Sequence, residues 1–160
     1  MIKLKIYGCS NDKVLKQCLS RASVFFLNAL LPKKRNINIA IRIVEDLLTT
    51  ENAYGECYNH NTKKTPSHYV IQLHAGMNPF ETVSTLAHEM VHVKQFDKRE
   101  LIFLAHFTRW KGERFEQDKI YTSEYPWEWE AERLEKELTL EFRKAQPKFN
   151  DFLGDIYTLK

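Results

Sequence analysis

The run His88-Glu89-Met90-Val91-His92 constrains this chain more than any other stretch, because its spacing has a use only on a helix. Residues four apart lie one turn above each other, so both imidazoles can reach a single ion. The flanking residues supply that helix. Asn78 can accept from the backbone N–H groups of a first turn, Pro79 fits the first helical position, and Glu81 stands where a capping box wants a carboxylate. Val83, Leu86, Ala87, Met90 and Val93 then recur at helical spacing through about Phe96. At about 100° per residue the histidines project almost opposite this stripe. The helix is therefore expected to pack by one side and offer both rings to a cleft.

Around it the order reads strand, helix, three strands, then the two later helices. Ile2, Leu4 and Ile6 alternate with Lys3 and Lys5, which predicts a strand with one wet face. Ser10 or Asn11 can cap a helix whose apolar positions run from Leu15 through Phe25 and Phe26 to Leu30, stopped by Pro32. Ile37, Ile39, Ile41 and Ile43 recur at period two and give the clearest strand. Two more strands are predicted over Ala53–Asn59 and Ser67–His74, joined by a turn-rich segment. Leu101–Gln117 is mixed, with a turn signal at Trp110-Lys111-Gly112. A last long helix begins near Pro126, with Trp127, Ala131, Leu134, Leu138, Phe142 and Ala145 as its buried stripe. Strands and helices are largely segregated, so the class is α+β, with a mostly antiparallel sheet of about four strands.

Composition narrows the function classes. A chain of 160 residues suits one domain spanning 1–160, and 43% hydrophobic residues exclude a disordered chain. Three cysteines without a C-x-x-C pair exclude a disulfide scaffold. They read as reduced, half-buried thiols of a reducing compartment. The start, MIKLKIYGC, lacks the apolar core of a signal peptide, and no apolar stretch approaches the ~20 residues of a membrane span. A cytoplasmic protein with no membrane partner is expected. The net charge of +3 does not by itself argue for nucleic acid, and Lys33-Lys34-Arg35 reads as a solvated loop.

Two imidazoles with an open position suit zinc, which has no redox chemistry and no geometric preference of its own. A catalytic zinc needs a third protein ligand. A third histidine in the H-E-x-x-H-x-x-G-x-x-H pattern is absent, since Gln95 and Lys98 fill the glycine and histidine places. A carboxylate from the segment Pro126-Trp127-Glu128-Trp129-Glu130-Ala131-Glu132 is the remaining source. On a helical wheel Glu128 and Glu130 flank the buried stripe at similar angles, so periodicity does not choose between them. Glu132, one turn after Glu128, could orient a zinc-bound histidine.

H-E-M-V-H followed by P-W-E-W-E-A resembles the small SprT-like zinc peptidases of phages and bacteria. It is also similar to the ImmA/IrrE family and to membrane-bound gluzincins related to CAAX-prenyl peptidases. In the latter two groups the third ligand is the glutamate of E-x-x-A-[ND]. The matching position here is Glu128, before Ala131, with Glu132 in the Asp/Asn place. The chain lacks the cysteine zinc ribbon of the SprT type. The resemblance covers about Pro79–Glu132 and implies a small zincin-like domain with Zn²⁺ on His88, His92 and Glu128. It implies a zinc-dependent endopeptidase in which Glu89, the catalytic base, takes a proton from the attacking water. A peptide or protein substrate follows, as does the cytoplasm of a bacterial host if the chain is phage-encoded.

Tyr121, Tyr125 and His106 are candidates to stabilise the oxyanion. Ser67–His74 is the expected edge strand for substrate, with His74 facing the cleft. Two other readings accompany this one. The first is a non-catalytic zinc-binding interaction module. The second is a protease of nucleic-acid-associated proteins, using Lys33–Arg35 and Arg109–Lys111 as its basic patches. The tail Lys148–Lys160, with Phe149, Phe152, Leu153 and Tyr157, is expected to pack over the core or over the site.

Overall fold

A computed structural model describes residues 1–51, 53–116 and 124–154 of the chain. β1 (Ile2–Tyr7) leads into α1 (Lys13–Leu30), and β2 (Ile37–Val44) follows. Asp12 caps α1 by accepting from the Leu15 N–H at 2.9 Å. Ser10 and Asn11, the expected caps, are instead the middle of a tight turn closed by the Asp12 N–H on the Cys9 carbonyl. That turn delays the helix by one or two residues. α1 buries Cys18, Leu19, Ala22 and Phe26, and the chain leaves it before Pro32 as predicted.

After α2 (Leu47–Glu51) come β3 (Gly55–Asn59) and β4 (His68–His74). The four strands form one sheet in the order β1-β2-β4-β3. β1 runs parallel to β2 and β2 parallel to β4, while β3 runs antiparallel to β4. The mostly antiparallel sheet expected from sequence is thus a mixed one. Parallel neighbours need a long crossover, and the 18 residues of α1 are that crossover. Strand β4 is consequently internal. The edge is β3, which corrects the assignment of Ser67–His74 as the free strand.

One face of the sheet is greasy. Ile39, Ile41, Ile71 and Leu73 are buried there, together with Tyr69. α3 (Pro79–Asp97) packs on this face and also touches α1, β5 and α4. Its capping box forms as predicted, with Glu81 N–H donating to Asn78 Oδ1 and Asn78 N–H to Glu81 Oε2. The helix does not pack by one side alone. Thr82, Glu89, Val91, His92 and Gln95 are buried along with the apolar stripe, because β3 and α4 close over the histidine side.

At the C-terminal end of α3, Asp97 accepts from Ser67 Oγ at 2.8 Å and Tyr69 Oη at 2.9 Å, and pairs with Lys34 Nζ at 2.9 Å. A carboxylate at a helix C-terminus opposes the dipole, and Lys34 compensates it. Lys34 is therefore a structural cation and not a solvated one.

Residues 101–116, mixed as sequence apart from the turn expected at Trp110-Lys111-Gly112, make a second sheet of β5 (Leu101–Phe103), β6 (Phe107–Trp110) and β7 (Glu113–Glu116), all antiparallel. Lys111 and Gly112 both have positive φ, 47° and 86°, the pair of left-handed residues that a two-residue hairpin turn requires. α4 (Pro126–Ala145) begins at Pro126 as predicted. Trp127, Ala131, Leu138 and Phe142 are buried, Leu134 is half-buried, and Ala145 is exposed. Phe142 meets Phe25 and Phe26 edge-on, each at 5.8 Å, which ties α4 to α1.

A short 3-10 turn (Pro147–Phe149) and α5 (Asn150–Leu153) fold back, so Phe149 and Leu153 enter the core. This part of the tail covers the core, and Tyr157 lies outside the described residues. The class is α+β. Among the described residues, no helix is long and apolar enough to cross a membrane. Cys9 and Cys18 are buried outright, Cys57 is half-buried, and all three are free.

Candidate metal centre

His88 and His92 stand one turn apart on α3, with ring centroids 5.0 Å apart. Glu128, in the first turn of α4, reaches between them. Its Oε2 lies 3.0 Å from His88 Nε2 and its Oε1 3.2 Å from His92 Nε2. One ligand atom from each of the three residues falls within 4.8 Å of the others, close enough for one metal ion. The two imidazoles and the carboxylate match the donor set of an N/O metal site.

Their outer nitrogens are separately held. His92 Nδ1 is 2.8 Å from Gln95 Oε1, and His88 Nδ1 is 3.7 Å from Glu135 Oε1. A proton on each Nδ1 leaves both Nε2 lone pairs aimed at the same point, which is the tautomer that metal binding requires. The residues present therefore fit a metal ion.

Electrostatics shape the cluster. Burial opposes charge on His88, but the Glu128 and Glu135 carboxylates, accepting from its ring N–H groups, outweigh it and lift its pKa to about 10. His92 is raised for the same reason, burial being overcome by Glu128 and then Glu89. Glu89 is 5% exposed, and burial raises its carboxyl, with the two histidines pulling the other way. The Cys57 thiol, facing Glu89, is pushed well above its ordinary range by burial and then by that carboxylate. It stays a thiol, so a cysteine nucleophile has no support here.

These groups floor a cleft of about 1230 Å³. One wall is the edge strand β3, continued by Glu51 and Tyr54; the other is formed by Phe96, Leu101, Ile102 and Phe103. β3 lies very close to α3 at Gly55. A Cβ there would stand 2.5 Å from Thr85 Cγ2 and 3.0 Å from Glu89 Oε1. Only glycine permits that approach, and it places the strand beside the Glu89 carboxylate.

The sequence leaves Glu128 and Glu130 equivalent, and the structure separates them. Glu130 turns to the other side, where its Oε1 is 2.8 Å from Lys94 Nζ and 3.2 Å from Gln95 Nε2. Glu135, not Glu132, is the carboxylate that approaches a histidine, His88. Seven residues separate Glu135 from Glu128, two helical turns, and that spacing was the available signal. Gln95, one turn after His92, was visible only as a break in a longer motif.

The other expected site residues lie elsewhere. His74 is on the far face of the sheet against Tyr54, at 6.0 Å between rings. His106 is in the exposed β5–β6 turn, and Tyr125 stacks on Trp127 at 4.5 Å; neither lines the cleft. Tyr121 is outside the described residues. Of the two basic patches, Lys34 is committed to Asp97, and Lys111 sits within 4 Å of Glu100 and Glu130. No protein-family model, no curated protein and no solved structure matches this chain.

Proposed function

We propose that this chain is a zinc-dependent endopeptidase of the small zincin-like kind its motifs resemble. The carrying observation is the convergence of His88, His92 and Glu128 within 4.8 Å, beside the buried Glu89, on the floor of a cleft walled by a free strand edge. His88 and His92 would hold Zn²⁺ through Nε2 and Glu128 through its carboxylate, while Gln95 and Glu135 fix the rings. Bound there, zinc would supply Lewis acidity, lowering the pKa of water and polarising a carbonyl. The chain's own residues do the rest. Glu89 accepts the proton of the attacking water on its carboxylate and delivers it to the leaving amine. Its raised affinity for a proton suits both halves of that task.

Among the described residues β3 pairs on one side only, with β4, so an extended peptide can add to its other side as a further strand. Apolar side chains of such a peptide would rest on Phe96, Leu101 and Phe103.

The test is metal content and hydrolysis measured on the same preparations. Purified or reconstituted chain should carry about one zinc, lost in His88→Ala and Glu128→Ala and kept in Glu89→Gln. Hydrolysis of a peptide library should fall by about 10²–10⁴ in Glu89→Gln. A wild type that takes up no zinc would sink the proposal. Zinc retained by Glu128→Ala would move the third ligand, and an undiminished Glu89→Gln would remove the base.

A further inference from the structure

The two faces of the main sheet differ in kind. The helices cover one. On the other, strand alternation and register bring Lys3, Lys5 and Tyr7 of β1 alongside Arg42 of β2, His68 of β4 and Tyr58 of β3. No residue of this second face is buried, and none of the described residues forms a layer over it.

Its charge is predominantly positive, with the exposed Glu45 and Asp46 following β2 at the end where Arg42 lies. Lys3, Lys5 and Arg42 are exposed, and Glu56 is the face's single acid, its carboxylate engaged by the Tyr58 hydroxyl. The loops at the end where β1, β2 and β4 begin add exposed Lys33, Arg35, Lys63 and Lys64 and no acid. Among the described residues, face and rim thus hold seven lysines and arginines, leaving out the paired Lys34, against one acid, while the other described residues have more acids than bases.

Lysines on an edge strand commonly guard against pairing, which would account for Lys3 and Lys5. It does not account for Arg42 on an internal strand, nor for the cations of two separate loops. A merely solvated face would mix its charges.

Rings lie among the cations. The Arg42 guanidinium sits 5.2 Å from the centroid of the half-exposed Tyr7 ring. Tyr58, His60 and His68 form a chain of rings at 6.3 and 6.1 Å. Tyr7 and Tyr58 stand three strands and two register positions apart, roughly 16 Å, on one open surface.

We propose that this open sheet face binds single-stranded nucleic acid, the cations taking phosphates and the rings stacking on unpaired bases. Stacking needs bases whose faces are free, which a duplex does not offer. The site is built on the face of the sheet opposite the metal cluster, and the two meet only at edge strand β3, whose Tyr58 also lines the cleft. It holds whether or not the chain is a peptidase.

Fluorescence anisotropy of a labelled 20-nucleotide oligothymidylate with the full chain tests it. Binding should weaken about 50-fold between 50 and 200 mM salt if some four phosphates are contacted. Lys3→Glu/Arg42→Glu should weaken it at least about tenfold and flatten the salt slope. Tyr7→Ala and Tyr58→Ala should each cost about fivefold with the slope unchanged. Lys136→Glu/Lys144→Glu, an equal charge reversal on exposed positions of α4, should stay within about twofold, with circular dichroism confirming the fold of every variant.

No binding at 50 mM salt overturns the proposal. So does binding that the α4 reversal weakens as much as the face reversal. Tyrosine variants that bind like wild type, with polyglutamate competing as well as the oligonucleotide, would assign the face to an acidic protein instead.

Discussion

Helices α3 and α4 enclose two polar clusters little more than a turn apart, and they are made differently. In one, His88, His92 and Glu128 converge, with Glu89 and Glu135 alongside. In the other, Lys94 Nζ lies 2.8 Å from both Glu100 and Glu130. The second cluster brings its own permanent cation. Lys94 is raised because its two carboxylate partners overcome burial, and Glu130 is lowered because Lys94 and Gln95 do the same for it. Both are ionised throughout the neutral range. The first cluster has its positive charge only on loan, from protons on histidine that a divalent ion can displace. Gln95 joins them, accepting at Oε1 from His92 and donating through Nε2 to Glu130 and the Trp127 carbonyl. One cluster is finished by the fold, and the other is built to be finished by a ligand.

The sharpest way to break that contrast is to take the cation from the finished cluster. Lys94→Met should cost about 3 kcal/mol in urea denaturation, because it leaves two mostly buried carboxylates with only the exposed Lys111 as a cation nearby. Zinc stoichiometry should not change. The pH dependence follows from the signs. Glu130 has a depressed folded pKa, so its contribution is present above its unfolded value and is lost as pH falls through the folded one. Lys94 has a raised folded pKa, so its contribution is present below its unfolded value and is lost as pH rises through the folded one. The wild type's advantage over Lys94→Met should thus be flat from about pH 6 to 9 and shrink below about pH 4. An advantage that varies through pH 6 to 9 would mean histidines contribute to this cluster too.

Smaller effects should separate on the metal side. Gln95→Leu removes the partner of His92 Nδ1 and should weaken zinc binding about 10–100-fold. Glu135→Ala acts on His88 across 3.7 Å and should fall near the lower bound. Titration against a competing chelator reads both. Gly55→Ala should cost about 1–2 kcal/mol by overpacking against Thr85 and Glu89. Thr85→Ser, which removes the methyl at 2.5 Å, should recover part of it. Combined with Lys94→Met, the Gly55→Ala cost should simply add, since the two touch different clusters.

What the sequence conveys about this pair of helices is uneven, for physical reasons. Caps and periodicity are local, so the Asn78–Glu81 box, the Pro126 start and the two histidines on one side of α3 are legible. Which of two near-equivalent glutamates turns inward depends on where α3 lies relative to α4, and no wheel of α4 alone contains that. Strand partners are equally non-local. β4 has the period of a strand but nothing in it says that β2 will lie on one side and β3 on the other. The parallel pairing was readable in principle from strand, long helix, strand. The three strands of residues 101–116 are three or four residues each, too short for a period to register.

The least disruptive change asks whether Lys94 alone closes the second cluster. Lys111 also approaches it, with Nζ 3.8 Å from Glu100 Oε2 and 3.7 Å from Glu130 Oε2. Distance alone would make it a second cation of the network. Its side chain, however, is 52% exposed against 13% for Lys94, and it spends its reach over the Trp110 ring at 5.0 Å. Water screens such a pair, and holding the long side chain still costs entropy. Lys111→Ala should therefore change stability by no more than about 0.5 kcal/mol, an amount that added salt removes. A loss comparable to that of Lys94→Met would show the network shared between two lysines. The permanent charge would then extend to the hairpin turn of β6 and β7, and the second sheet would be part of what holds α3 and α4 together.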